Sequence, residues 1–337
     1  MINVGVIGAG YWGPNIIRNF MINPDTNVVM VCDLQEERLE KVSVAYPHIK
    51  TTTDANDLIT SGELDLIAVC TPVSTHYQLA KEILSNKKHL LIEKPMTATA
   101  AEAEELNKIA NAMNVKIFVD HTFLFTPAVQ KIKEWINNGE LGDLLYFDSV
   151  RINLGLFQHD VSVIWDLAVH DMSILTYLIS NKPKNLSATG SAHYNQSIHD
   201  MAYLSLQYNN NFIAHIHVNW LSPVKVRKCL IAGTKKMIVW DDTLADEKIK
   251  IYDKGIDVIK NDNDIYELLI QYRSGDMVSP RLPNREALSV EVQNIVDVLK
   301  NKAEPISDGH LGAEVVKMIE LADSSMKKNG TPVHFEN

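Results

Sequence analysis

Several groups of residues have types and spacings that could do chemistry. The first is Gly8-Ala9-Gly10-Tyr11-Trp12-Gly13, a Gly-x-Gly-x-x-Gly loop directly after an apolar run over residues 2–7. In such a loop the first glycine permits a tight turn and the second lets the backbone approach a pyrophosphate. The third allows a helix to pack closely on its strand. The phosphate charge would meet free N–H groups and the positive end of a helix dipole. Asp33 follows the next apolar run, 28–32, where a carboxylate would bind the ribose hydroxyls of NAD and repel a 2′-phosphate. Arg38, one turn further on, would soften that repulsion. Asp33 would also serve as an N-cap for a helix beginning at Leu34. Tyr11 and Trp12 lie in the loop facing the cofactor, although packing alone explains Trp12 equally well.

Two further loops, Thr71-Pro72 and Glu93-Lys94-Pro95, follow strand-like runs over 64–70 and 89–92. In a parallel sheet both would leave the carboxyl edge, where ligands bind. Lys94 could there hydrogen-bond a reacting oxygen and help orient a nicotinamide; in isolation the tripeptide also reads as a solvated turn stiffened by proline. His76, near the start of the following helix, and His121, after the run 116–119, are further candidates for cofactor contact. A second constellation is Asp166 and His170, four apart in a helix-like stretch over 165–179 and so on one face. Oxidation of an alcohol needs a base for the hydroxyl proton while hydride leaves carbon, and histidine matches that task near neutral pH. A capping carboxylate and a partly buried histidine would account for the same pair. Arg151 and Asn153 could contact substrate; a surface salt bridge accounts for Arg151 at least as well. His215 and His217 alternate along a strand, but no third ligand has metal-site spacing, so no metal is expected.

The elements that must position these residues divide near residue 120. Before it, short apolar runs alternate with helical periodicity, which implies a parallel sheet with crossover helices. After it come helices over 127–138 and 165–179, then strands over 186–193, 202–208, 212–220, 228–232 and 237–240, with Asn209-Asn210-Asn211 as a hairpin turn. Helices over 285–300 and 309–328 close the chain. The expected architecture is an α/β Rossmann domain over 1–120, then an α+β domain over 121–337 with a large, mostly antiparallel open sheet. The terminal helices are free to pack back on the first domain.

Composition narrows the function classes. The 337 residues are 46% hydrophobic and 22% charged, as in a globular protein, and two domains is the natural prior. A net charge of -10 leaves no basic stripe for nucleic acid. Three scattered cysteines give neither a disulfide framework nor a zinc knuckle. With no basic leader and no long apolar run, a cytoplasmic protein without membrane contact is expected.

Taken together, the glycine loop, Asp33, Thr71-Pro72, Glu93-Lys94-Pro95 and Asp166-x-x-x-His170 resemble the Gfo/Idh/MocA family of oxidoreductases over nearly the whole chain. Gly10-Tyr11-Trp12-Gly13-Pro14-Asn15, Asp120-His121-Thr122-Phe123 and Trp165-Asp166-Leu167 with His170-Asp171 are similar to its nucleotide-sugar 3-dehydrogenase branch. Val163-Ile164-Trp165 replaces the glycines that many members carry there, and Val169 stands where Pro or Gly is common. The resemblance implies NAD as cofactor and an active site lined by Lys94, Asp166 and His170. The implied reaction moves hydride between a sugar ring carbon, C3 of a nucleotide-linked sugar such as UDP-N-acetylglucosamine, and nicotinamide. His170 would exchange the hydroxyl proton, Lys94 would stabilise the developing oxyanion, and Asp166 would position the imidazole or the sugar. A homo-dimer or homo-tetramer is implied as well. The alternatives are a dehydrogenase of a free sugar, cyclitol or diol, and a non-catalytic NAD-binding regulator.

Overall fold

The computed structural model describes residues 1–155, 161–259 and 269–335. The chain forms two compact units, Met1–Thr126 with Arg285–Glu320, and Pro127–Asn284 with Leu321–Asn337.

In the first unit strands and helices alternate: β1 (Ile2–Ile7), α1 (Gly13–Ile22), β2 (Thr26–Cys32), α2 (Glu36–Ala45), β3 (Lys50–Thr52), α3 (Ala55–Ile59), β4 (Leu66–Val69), α4 (His76–Ser85), β5 (His89–Glu93), α5 (Ala100–Met113) and β6 (Ile117–Asp120). All six strands are parallel, in the order β3-β2-β1-β4-β5-β6. Every residue of β4 and β6 is buried, as expected of strands covered on both faces. The order reverses between β1 and β4, so the loops after those strands open the crevice where doubly wound sheets bind ligands. β3 and α3 were not foreseen: three polar residues and a single short turn carry no periodicity to read.

The second unit holds α6 (Pro127–Asn137), β7 (Leu144–Leu154), a wide π-type turn at Ile164–Ala168, α7 (Val169–Leu178), β8 (Asn185–Ser191), β9 (Met201–Gln207), β10 (Ile213–Asn219), β11 (Leu221–Gly233), β12 (Met237–Asp241), β13 (Ile249–Ile259) and β14 (Leu269–Val278). Together with β15 (Val333–His334) these strands form a nine-stranded sheet in the order β14-β13-β12-β11-β7-β10-β9-β8-β15. Its pairings are antiparallel except that of β7 with β10. The turn at Asn209-Asn210-Asn211 joins β9 to β10, with Asn211 at φ +60° and the Tyr208 N–H donating to Phe212 O at 3.1 Å.

Two helices close the chain, α8 (Ala287–Leu299) and α9 (Gly309–Lys327). α8 belongs to the first unit: Leu288, Val292, Ile295 and Val298 pack into the core formed by Val4, Val6, Ile16, Phe20 and Val28. Arg18 and Glu286 pair beside that contact. Among the described residues no helix is long and apolar enough to cross a membrane.

Candidate active site

The glycine loop follows β1 as its sequence requires. Gly8 has φ +100°, and a Cβ there would lie 2.7 Å from the Cys70 carbonyl oxygen. At Gly13 a Cβ would meet the Gly8 carbonyl oxygen at 2.0 Å, so only glycine lets α1 start this close to β1. Asp33 is buried at the end of β2. Its Oδ2 accepts the Ala9 N–H at 2.7 Å and its Oδ1 accepts the Gln35 N–H at 2.8 Å. The carboxylate thus ties the glycine loop to the entry of α2, which begins at Glu36 rather than Leu34 because Asp33 turns the chain first. Tyr11 is 95% exposed, whereas Trp12 turns inward and donates from Nε1 to Asp120 Oδ2 at 2.6 Å.

The loops after β4 and β5 are joined by His76. Its ring nitrogens lie 2.8 Å from Thr71 O and 2.9 Å from Pro95 O, and burial holds its pKa below the ordinary imidazole value despite those carbonyls. His76 therefore stands between the Thr71-Pro72 loop and the Lys94-Pro95 loop, and its neutral ring, with a single N–H, donates to one of the two carbonyls. Thr71 Oγ1 pairs with Thr75 Oγ1 at 2.7 Å, and Pro72 is exposed. Glu93 and Lys94 are half-buried at the end of β5, and Glu93 pairs in register with Asp120 of β6.

Three carboxyls meet here, from Glu93, Asp120 and Glu291 of α8. Asp120 accepts from both Trp12 Nε1 and Thr122 Oγ1. Burial, and then the charge of Asp120, push Glu93 and Glu291 well above the usual carboxyl range. Glu291 is 1% exposed, and neither of its oxygens receives a hydrogen bond from the described residues. A protonated Glu291 therefore fits this place better than an ionised one. His121 is 1% exposed as well, with both ring nitrogens lacking a partner among the described residues. Burial and the nearby Lys94 ammonium lower its pKa to about 3, so His121 is a neutral ring at working pH.

In the second unit Asp166 and His170 do not share one regular helix. Asp166 lies in the π-type turn and His170 in the first turn of α7, with both side chains half-buried. Turns of this kind gather at functional sites because they re-aim side chains without ending the helix. Asp166 Oδ2 accepts the Trp220 Nε1–H at 3.0 Å. Asn153 and Trp220 both border Gly155: a Cβ there would meet Asn153 Nδ2 at 3.1 Å and Trp220 Cδ1 at 3.2 Å. Arg151 forms a buried salt bridge rather than a surface one. Its Nε donates to Asp171 Oδ2 at 2.8 Å and its Nη2 to Asp171 Oδ1 at 3.3 Å. Ser149 Oγ adds a bond to Asp171 Oδ1 at 2.6 Å. Burial works against the Arg151 charge, but Asp171 overcomes it and raises the guanidinium above its ordinary value. Through this pair β7 grips α7 at the residue next to His170.

Residues 2–121 match the oxidoreductase family with an NAD-binding Rossmann fold, and residues 129–239 match the GFO/IDH/MocA C-terminal domain. The chain belongs to the Gfo/Idh/MocA family of oxidoreductases. A UDP-N-acetylglucosamine 3-dehydrogenase from Acidithiobacillus ferrooxidans is 22% identical over 323 residues, 94% of each chain. The solved structure of the enzyme of that name and source superposes with a TM-score of 0.79, covering 97% of this chain and 98% of its own, a likeness of fold. An uncharacterized oxidoreductase, YrbE of Bacillus subtilis, is 28% identical over 64% of this chain and 66% of its own. A scyllo-inositol 2-dehydrogenase (NAD(+)) of the same organism is 23% identical over 99% of this chain and 96% of its own.

In this family member the residues of the first unit fit NAD: a glycine turn that a Cβ would fill, a buried carboxylate at the end of β2, and a lysine at the carboxyl edge of β5. Among the described residues no group of three His, Cys, Asp or Glu side chains could hold a metal. Sequence reading passed over Glu291, Trp220 and the support that Asp171 gives to α7. Glu291 left a legible signal, since it stands on the same stripe of α8 as Leu288, Val292 and Ile295, where a charge is out of place. Trp220 left none, because an indole ending an apolar strand reads as core.

Proposed function

We propose that this oxidoreductase oxidises, or forms by reduction, a ring hydroxyl at C3 of a nucleotide-linked sugar of the UDP-N-acetylglucosamine kind. NAD supplies the hydride acceptor in the oxidative direction. The loop Gly8, Gly10, Tyr11, Trp12 and Gly13 would hold its pyrophosphate, and Asp33 its ribose. Thr71, Pro72, Glu93 and His121 border the nicotinamide end, and His76 sets the spacing of the two loops that do so. Lys94 hydrogen-bonds the substrate oxygen and stabilises the negative charge that develops there. His170 takes the hydroxyl proton as the carbon–hydrogen bond breaks and returns it in reverse. Asp166, oriented by Trp220, positions the sugar or the imidazole, and Asn153 adds a donor beside it. Arg151 serves through Asp171 as a positioning residue.

The observation that carries the catalytic part is the placement of His170 on a helix anchored by a buried ion pair one residue away. The nucleotide-sugar part is supported by the relative that matches over 94% of both chains. A cyclitol substrate is the second reading, favoured by the inositol dehydrogenase relative, and it uses the same residues. The purified protein, freed of bound cofactor, is incubated with NAD and a panel of UDP-sugars, free sugars and inositols while reduced nicotinamide is followed by absorbance. Turnover with a UDP-sugar alone supports the first reading, and turnover confined to inositols supports the second. Silence toward every member, with NAD binding intact, would favour a non-catalytic NAD-binding protein.

We also propose that the chain works as a homo-dimer or homo-tetramer joined through the open face of its nine-stranded sheet. Tyr203 and His217 stack there at 4.2 Å, beside His215, Asp148 and the exposed Leu230.

A further inference from the structure

One short loop touches both elements that present Asp166. Residues 192–200 join β8 to β9 and fold around the carboxylate of Asp200, which is 1% exposed. Its Oδ2 accepts the His193 N–H at 2.7 Å and the Tyr194 N–H at 3.3 Å, and its Oδ1 lies 2.7 Å from His193 Nδ1. His193 and Tyr194 are themselves exposed. Two adjacent carbonyls of the loop then reach the active-site elements. His199 O accepts the Val163 N–H at 2.9 Å, and Asp200 O accepts the Trp220 N–H at 2.9 Å, one bond beyond the β9–β10 ladder. Val163 directly precedes the π-type turn that carries Asp166, and the Trp220 indole donates to Asp166 Oδ2. Both Val163 and Trp220 are buried.

We propose that Asp200 is a positioning residue for the active site: its carboxylate shapes the loop whose carbonyls fix Val163 and Trp220, and through them the aim of Asp166. The inference rests on the reading of Asp166 as an active-site residue, and not on which sugar reacts. An exposed loop has many shapes of similar energy. A buried carboxylate that accepts two consecutive N–H groups selects one of them, because charge-assisted hydrogen bonds are the stronger kind. Without the carboxylate those N–H groups can bond water, since they belong to exposed residues, so the loop loosens while the sheet beside it stays. The loss then appears as an error in the aim of Asp166 rather than as unfolding, and a misplacement of about 1 Å costs about 100-fold in rate. Asparagine keeps an oxygen for the two N–H groups and can offer its amide to a neutral His193 ring. Asp200→Asn should therefore stand in for the aspartate where Asp200→Ala does not.

The full chain, loaded with NAD and without any sugar, is labelled with 5-fluorotryptophan at its five tryptophans, and the fluorine NMR signals are assigned by single Trp→Phe changes. Asp166→Asn alters the acceptor of the Trp220 indole and should displace the Trp220 signal. In an Asp200→Ala chain the same Asp166→Asn change should displace it by less than about half as much, because the indole no longer rests on that side chain. In an Asp200→Asn chain the displacement should be kept. Unmoved signals from Trp12, Trp135 and Trp240 report that the fold is intact. If Asp200→Ala moves those three as well, Asp200→Ser, which keeps a small acceptor in the loop, decides by the same measure. Failure of the sugar assignment leaves this readout untouched. With any substrate the protein turns over, Asp200→Ala should lower kcat about 10- to 100-fold while the NADH dissociation constant stays within about threefold, and Asp200→Asn should restore the rate. An Asp166→Asn displacement that keeps about half or more of its size without the Asp200 carboxylate overturns the proposal, as does a Trp220 signal that Asp166→Asn leaves in place.

Discussion

His170 stands on the first turn of α7 beside Asp171, whose carboxylate takes two hydrogen bonds from Arg151 and one from Ser149. The two residues should fail differently when changed. His170→Ala removes the proposed base, and turnover should fall by about 100- to 10,000-fold while NAD affinity holds within a few fold; single-turnover rates and a cofactor titration check both halves. Arg151→Ala leaves Asp171 charged in a dry place, and breaking such a pair costs about 3–5 kcal/mol, visible as a lower denaturant midpoint. The contrast marks what was legible at this scale. His170 was singled out from its spacing to Asp166, and its role as base is the part the two measurements above test. The partner of Arg151 could not be found that way, because a strand residue and a helix residue meet only once the sheet has formed. The glycine loop was legible because its meaning is local: φ at Gly8 and the close approach at Gly13 follow from three glycines and one strand.

At the level of elements, α8 is the least expected contributor, since it delivers Glu291 to the carboxyl edge where β5 and β6 end. Burial, and then the charge of Asp120, raise the Glu291 carboxyl well above the ordinary value it keeps in the unfolded chain. The native state then holds the extra proton, so stability falls as pH rises between the unfolded and folded pKa values. Glu291→Gln mimics the protonated form and should flatten that dependence. Melting temperatures should match the wild type near pH 4 and exceed it near pH 8, by an amount set by the raised carboxyl. A variant that melts below the wild type at alkaline pH would show that the carboxylate is ionised and needed there. Trp12 belongs to the same group, and Trp12→Phe should weaken NAD binding by severing the glycine loop from Asp120, a loss read in the same cofactor titration. The turn at Ile164–Ala168 was read as ordinary helix because hydrophobic spacing does not register one inserted residue.

On the scale of the whole molecule, the change from alternating to strand-rich patterning near residue 120 was legible because each pattern repeats many times. A return of the terminal helices to the first domain was left open, since a helix period shows that a face is buried and not against what. The open sheet face gives the proposal of self-association a direct check: light scattering on the purified protein should report two or four chains, and a monomer would contradict it. The central claim, that hydride leaves a sugar ring carbon for nicotinamide, is tested most directly with UDP-N-acetylglucosamine carrying deuterium at C3. Incubated with this protein and NAD, it should yield reduced cofactor with deuterium at nicotinamide C4. Reduced cofactor without the label, or no reduction at all while the protein binds NAD, would contradict the account.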